Sequence, residues 1–136
     1  MAKGLADKIE DALNAGVAKF MANTQSKLSA SSPIDTGRLA SSWMPGYGSP
    51  DRETRPEDWA EPGANRVVVE PVKTQEVSVR NTNYISNSLP YAERAAMDPG
   101  YVGRRGGGSG DWFSRVVNAL PQDAEKQIKS ELRKLR

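Results

Sequence analysis

The chain has 136 residues, with 19 Lys and Arg against 17 Asp and Glu, and it contains neither cysteine nor histidine. Those absences exclude a disulfide framework, Cys/His zinc sites, thiolate nucleophiles, Ser-His-Asp triads and a histidine pH switch. What remains is carboxylate, lysine, tyrosine and serine chemistry, or no chemistry, in a chain whose length predicts one domain over residues 1–136.

Leu5, Ile9, Leu13, Val17, Phe20, Met21 and Leu28 recur at steps of mostly three and four, with Lys3, Asp7, Lys8, Glu10, Asp11 and Lys19 mostly off that stripe. This predicts a long amphipathic helix over roughly residues 4 to 28, weakened by about 1 kcal/mol at Gly16 but not ended there. The small, polar run from Ser29 to Pro33 closes it. Asp35 or Thr36 then offers a side-chain oxygen as the cap of a short second helix that ends before Pro45. Leu39 and Trp43, four apart, face the core from it. Gly37 reads as a point of close packing, and Arg38 as a salt-bridge or interface donor.

Four of the nine prolines and seven charges fall between Met44 and Asn65, so residues 44–65 are expected to form an extended Pro-rich arm. Trp59 stands out there, either as an anchor on a partner surface or as a lid folded back over the sheet. Val67 to Val69 are β-branched, and Val77 and Val79 alternate with Glu76, Ser78 and Arg80. The pattern predicts strands over Arg66 to Glu70 and Thr74 to Asn81, joined as a hairpin. Leu89 to Met97 reads as a short helical turn entered through Pro90, with Tyr91 as a buried aromatic whose hydroxyl lies at the rim.

Residues 98–110 carry six of the twelve glycines around Arg104 and Arg105. No Gly-Lys-Ser/Thr follows, so this Gly-rich loop suits a solvated hinge or an assembly contact better than a phosphate cradle. A last helix opens at Ser109 or Asp111. Trp112, Phe113, Val116, Val117 and Leu120, then Ala124, Ile128, Leu132 and Leu135, form its apolar stripe, and Pro121 is expected to kink or split it. Its outer face carries Lys126, Lys129, Arg133, Lys134 and Arg136, which suits the negative end of a helix dipole. The expected fold is α+β: long N-terminal and C-terminal helices packed on a small, mainly antiparallel sheet, with two long loops.

Charge is segregated. Residues 51–64 hold two basic and five acidic residues, whereas residues 103–136 hold eight basic and four acidic ones. These are solvated faces or complementary patches on neighbouring copies or a partner. No apolar run approaches the roughly 20 residues of a membrane span, and the N-terminus lacks the pattern of a secretory signal, so a soluble chain without membrane contact is expected. Asp35-Thr36-Gly37 also occurs at aspartic-protease sites, but that chemistry needs two carboxylates sharing a proton on a strand-loop, not a segment before a helical stripe. No enzyme activity, catalytic residue, metal or cofactor is expected.

In order along the chain stand a long helix, Pro33-Ile34-Asp35-Thr36-Gly37-Arg38-Leu39, strands, Asn87-Ser88-Leu89-Pro90-Tyr91-Ala92, and Gly110-Asp111-Trp112-Phe113 opening the last helix. This order resembles the tail-completion and neck (head-tail joining) proteins of tailed bacteriophages, the group that includes minor tail protein Z. Met97-Asp98-Pro99-Gly100 stands where that group commonly has an acidic residue and glycine after the Tyr-Ala. The resemblance implies a virion structural protein, assembled in the host cytoplasm into a ring of six or twelve copies at the head-tail junction. It acts there as a tail completion, tail terminator or neck component. Implied partners are other copies of the chain, a head connector or stopper, tail-tube or terminator proteins, and non-specific DNA in the channel. Asp35, Thr36, Gly37, Arg38, Leu39, Pro90 and Tyr91 are its motif positions, with Trp59, Arg104 and Arg105 as interface candidates. The alternative is a small nucleic-acid-binding or regulatory protein that uses the basic C-terminal helix.

Overall fold

Helical periodicity at both ends of the chain produces two long helices, and the segment between them supplies a small sheet and two short helices. In chain order the elements are α1 (Leu5–Ser31), α2 (Arg38–Ser41), β1 (Met44–Tyr47), a 3₁₀ turn (Thr74–Glu76), β2 (Asn83–Ser86), α3 (Ala92–Met97) and α4 (Trp112–Arg133). The structure is a computed structural model and describes residues 4–34, 36–60, 66–98, 101 and 111–135. The fold is α+β, with a two-stranded antiparallel sheet. Among the described residues no helix is long and apolar enough to cross a membrane.

α1 and α4 run antiparallel, Gly16 lying against Ile128 while Leu28 packs with Trp112 and Val116. A Cβ on Gly16 would stand 2.9 Å from the Ile128 Cα, so the glycine that weakens α1 is what lets the two backbones approach. The buried face of α1 accordingly holds small and polar residues, Ala12, Gly16, Ala18, Thr24, Gln25 and Ser29, besides Met21 and Leu28. Leu5 and Ile9, expected on the apolar stripe, are 69% and 38% exposed. α4 ends at Arg133, shortly past the crossing, so the first turns of α1 extend beyond it.

The aromatic core gathers Trp43, Trp112 and Phe113. The two indoles meet edge-on with centroids 6.4 Å apart, and Trp43 stacks on Phe113 at 6.4 Å and 12°. Each such pair adds about 0.5–1.5 kcal/mol beyond area burial. Both indole N–H groups are satisfied. Trp43 donates to the Ser32 hydroxyl at 2.9 Å, and that hydroxyl donates to the Leu28 carbonyl at 2.6 Å at the end of α1. Trp112 donates to the Ala95 carbonyl at 3.0 Å. Pro121 neither splits α4 nor ends it. Pro121 and Val117 both lie on the exposed side, where water can take the Val117 carbonyl that loses its helical donor.

The sheet is not the expected hairpin. Met44↔Ser86, Pro45↔Ile85, Gly46↔Tyr84 and Tyr47↔Asn83 are the paired residues, so β1 lies inside the segment expected to lack regular structure. Pro45 is tolerated because its pair is one that exchanges no hydrogen bonds, and Gly48 (φ +82°) then turns the chain and donates its N–H to the Thr82 carbonyl. Thr74–Glu76 forms a 3₁₀ turn instead of opening a strand. Val77 buries beside Ala18 and Met21, while the Val79 N–H is taken by the Asn14 side chain of α1, which leaves no ladder for a hairpin to complete. Residues 66–70 run without turn or bend, but among the described residues no strand lies beside them. The second helix opens at Gly37, in the left-handed region at φ +87°, and the side-chain oxygen expected from Asp35 or Thr36 is supplied by Thr36, whose hydroxyl accepts from the N–H of Arg38, the first helical residue.

Candidate functional site

The motif residues converge on one knot. Gly37 turns the chain at the end of the Pro33 to Leu39 segment, and a Cβ there would lie 2.0 Å from the Arg66 carbonyl oxygen. Only glycine fits both the close approach and the positive φ. Thr36 holds the turn from both ends: its hydroxyl accepts from the Arg38 N–H at 3.3 Å, and its carbonyl accepts from the Arg66 N–H at 3.0 Å. Asp35 lies outside the described residues. Arg38, expected as a salt-bridge or interface donor, donates its Nε to the Arg55 carbonyl at 2.7 Å and so clamps the chain internally.

Leu39 buries against Leu89 and Ala95, with Tyr91 half-buried on the same cluster. The Asn87 side chain donates to the Leu39 carbonyl at 2.9 Å and accepts from the Leu89 N–H at 3.2 Å, fixing the turn that leads into exposed Pro90. Because Trp112 bonds the Ala95 carbonyl, the third motif joins the first two. Three segments spread from Pro33 to Phe113 therefore hold one another.

A second cluster fixes the segment after β1. Trp59 is 9% exposed and lies between two guanidinium groups, Arg66 at 3.8 Å and Arg55 at 4.8 Å from the ring centroid. Its N–H donates to the Arg66 carbonyl at 2.7 Å. Arg55 donates to the carbonyls of Ser41 (3.1 Å) and Val68 (2.9 Å) and pairs with Glu70 at 3.1 Å. Trp59 thus folds back onto its own chain, and an anchor buried inside the subunit is not free to enter a partner. The described part of the 44–65 segment is tied down by these bonds, which corrects its expectation as an extended arm. The sequence offered Arg55 four residues before Trp59, a spacing that suits stacking, but nothing in it identified Arg66 as the second face. Gln25 was missed as well. It is 3% exposed and donates to both the Trp43 and Glu70 carbonyls, joining α1 to segments 18 and 45 residues away.

Charge is more locally balanced than the sequence totals suggest. Buried Glu131 on α4 receives Lys19 of α1 and Lys134, and these hydrogen bonds hold its carboxyl below the ordinary value of 4.5. Glu125, bonded to Lys129 at 2.6 Å, is lowered for the same reason. Glu10 is lowered by Arg80, whose guanidinium reaches both carboxylate oxygens at 2.7 and 2.9 Å. On the basic face of α4, Lys129 and Lys134 are therefore paired, and among the described residues Lys126 and Arg133 are its cations without a carboxylate in reach. Arg104, Arg105 and Arg136 lie outside the described residues. Among the described residues no group of three or more carboxylates is placed to hold a metal ion.

Comparison with protein-family models, curated proteins and solved structures finds no match for this chain.

Proposed function

We propose that this chain is a virion structural protein that forms a ring at the head-tail junction of a tailed bacteriophage, in the role of tail completion, tail terminator or neck component. It works by shape: copies of the chain close around the channel, and the ring seats between a head connector or stopper and the tail-tube or terminator proteins. The observation that carries this is the knot in which Leu39, Leu89, Ala95 and Trp112 meet. The described motif residues make their contacts within the subunit, Leu39 with Asn87, Leu89 and Ala95 and the turn at residues 36–38 with Arg66 and Arg55, as expected of residues that define a subunit's form and not of residues that wait for a substrate. The exposed Leu5, Ile9 and Leu135, and the acidic run after β1 set against the cations Lys126 and Arg133, supply surface for contacts between copies.

The pairing of Lys129 and Lys134 with carboxylates of their own helix weakens the nucleic-acid alternative, because charges already neutralised release few counterions from a duplex. Electron microscopy of the purified chain, alone and mixed with a tail-tube protein, tests the proposal. Closed rings with an open centre are expected in at least one condition. Dispersed monomers in both, together with duplex binding that falls steeply with salt, would refute it.

A further inference from the structure

Residues 66–70 form half of a ladder. The Arg66 N–H and carbonyl are bonded to Thr36, Ser41 and Trp59; the Val68 N–H and carbonyl are bonded to Ser41 and Arg55; the Glu70 carbonyl is bonded to Gln25. In an extended chain, alternate residues turn their backbone groups to opposite sides in the plane of the sheet. The bonded residues are 66, 68 and 70, all on the inner side, where a hydroxyl and a guanidinium take the place of a neighbouring strand. Val67 and Val69 face the other way, and their N–H and carbonyl groups have no hydrogen bond among the described residues. Val67 and Val68 are 41% and 50% exposed.

The same chain carries a second open edge. The Gly48 N–H bonds the Thr82 carbonyl, and Pro45 cannot donate to Ile85, so the bonded pairs of the sheet are Met44 with Ser86 and Gly46 with Tyr84. The backbone groups of Asn83 and Ile85 then point away from β1, and no described residue bonds them. Beside this edge runs an apolar groove of about 270 Å³ between α1, β2 and α4, lined by Phe20, Ile85, Phe113 and Val117 among others. Asn83 is part of its lining, and the buried Oδ1 of this side chain has no donor among the described residues.

We propose that neighbouring copies of this chain join by strand addition, the Val67/Val69 edge of one copy pairing with the Asn83/Ile85 edge of β2 in the next. An apolar side chain of the incoming strand, Val67 or Val68, fills the groove. The two edges are different surfaces of one subunit, so the contact is head to tail, and repetition of a head-to-tail contact closes a ring when the rotation permits. The inference rests on the ring assembly proposed above and names the contact that builds it.

Proline at the outward positions tests it. Val67→Pro/Val69→Pro removes two N–H groups that have no partner among the described residues and keeps φ in the extended range, so the monomer should fold, melting within about 3 °C of the parent. Native mass measurement should show loss of the oligomer for this variant. Amide exchange on the parent reads the same contact without a substitution. On assembly, the amides of residues 67, 69, 83 and 85 should slow by roughly a hundredfold or more, while that of Val68, already bonded to Ser41, should change little. An oligomer of unchanged mass in the double-proline variant would overturn strand addition and leave the ring standing. The same holds if the oligomer forms with those four amides still exchanging freely. A parent chain that stays monomeric at every concentration, both alone and with a tail-tube protein, would overturn both. Should the proline variant fail to fold, the exchange measurement decides alone.

Discussion

Replacing Trp59 by alanine tests whether the chain after β1 belongs to the folded body. The indole is 9% exposed, is covered by two guanidinium groups and donates its N–H to Arg66. Truncating a buried tryptophan costs about 3–5 kcal/mol. Within that total, each guanidinium contact at a partly exposed site contributes about 0.5–1 kcal/mol and the hydrogen bond about 1 kcal/mol. Arg55 and Arg66 keep their other backbone partners when the ring is gone, which limits the loss and places Trp59→Ala near 3 kcal/mol. At this chain length about 3–4 °C of melting temperature corresponds to each kcal/mol, so a fall of roughly 10 °C is expected. Trp59→Phe keeps the apolar ring and loses the N–H, and should fall by only about 3 °C. Thermal unfolding followed by near-ultraviolet circular dichroism measures both. A Trp59→Ala protein that melts within about 2 °C of the parent would show that the segment is not part of the cooperative unit, and the stack would carry no stability.

Other consequences follow from single contacts. Gly37→Ala places a Cβ against the Arg66 carbonyl at a positive φ, and should cost more than about 1 kcal/mol in urea unfolding; a neutral result would mean the turn relaxes. Ser32→Ala leaves the buried Trp43 N–H without an acceptor and should cost about 1–3 kcal/mol. A loss much smaller than that would show water replacing the hydroxyl. Glu131 is held below its ordinary pKa of 4.5 by Lys19 and Lys134, so its contribution is complete above that value and is lost as pH falls through the lowered folded-state pKa. Glu131→Gln should therefore flatten the acid limb of melting temperature against pH, and identical limbs for parent and variant would contradict the pairing.

The two long helices were legible because an apolar stripe at steps of three and four needs no tertiary information. Which face α1 buries was not, since that depends on α4 crossing at Gly16, and a glycine in the middle of a helix reads as a weakness until its neighbour is known. Pro45 and Gly46 read as breakers, yet each sits where a strand tolerates it: the proline in a pair without hydrogen bonds, the glycine where Ser49 folds back within 2.3 Å of a would-be Cβ. The valines at 67 to 69 were read for their β-propensity, and residues 66–70 do run without turn or bend. Sequence pattern could not show that Ser41 and Arg55 occupy one side of that segment. The motif from Pro33 to Leu39 was visible as a motif, but its role as a clamp on Arg66 depends on a contact nearly 30 residues away in sequence.

Native mass spectrometry of the purified chain, alone and with a tail-tube protein, reads ring formation itself. A single closed species of six or twelve copies, present in at least one of the two conditions, is the predicted result. A monomer in both, or an open series of masses with no preferred stoichiometry, would contradict it.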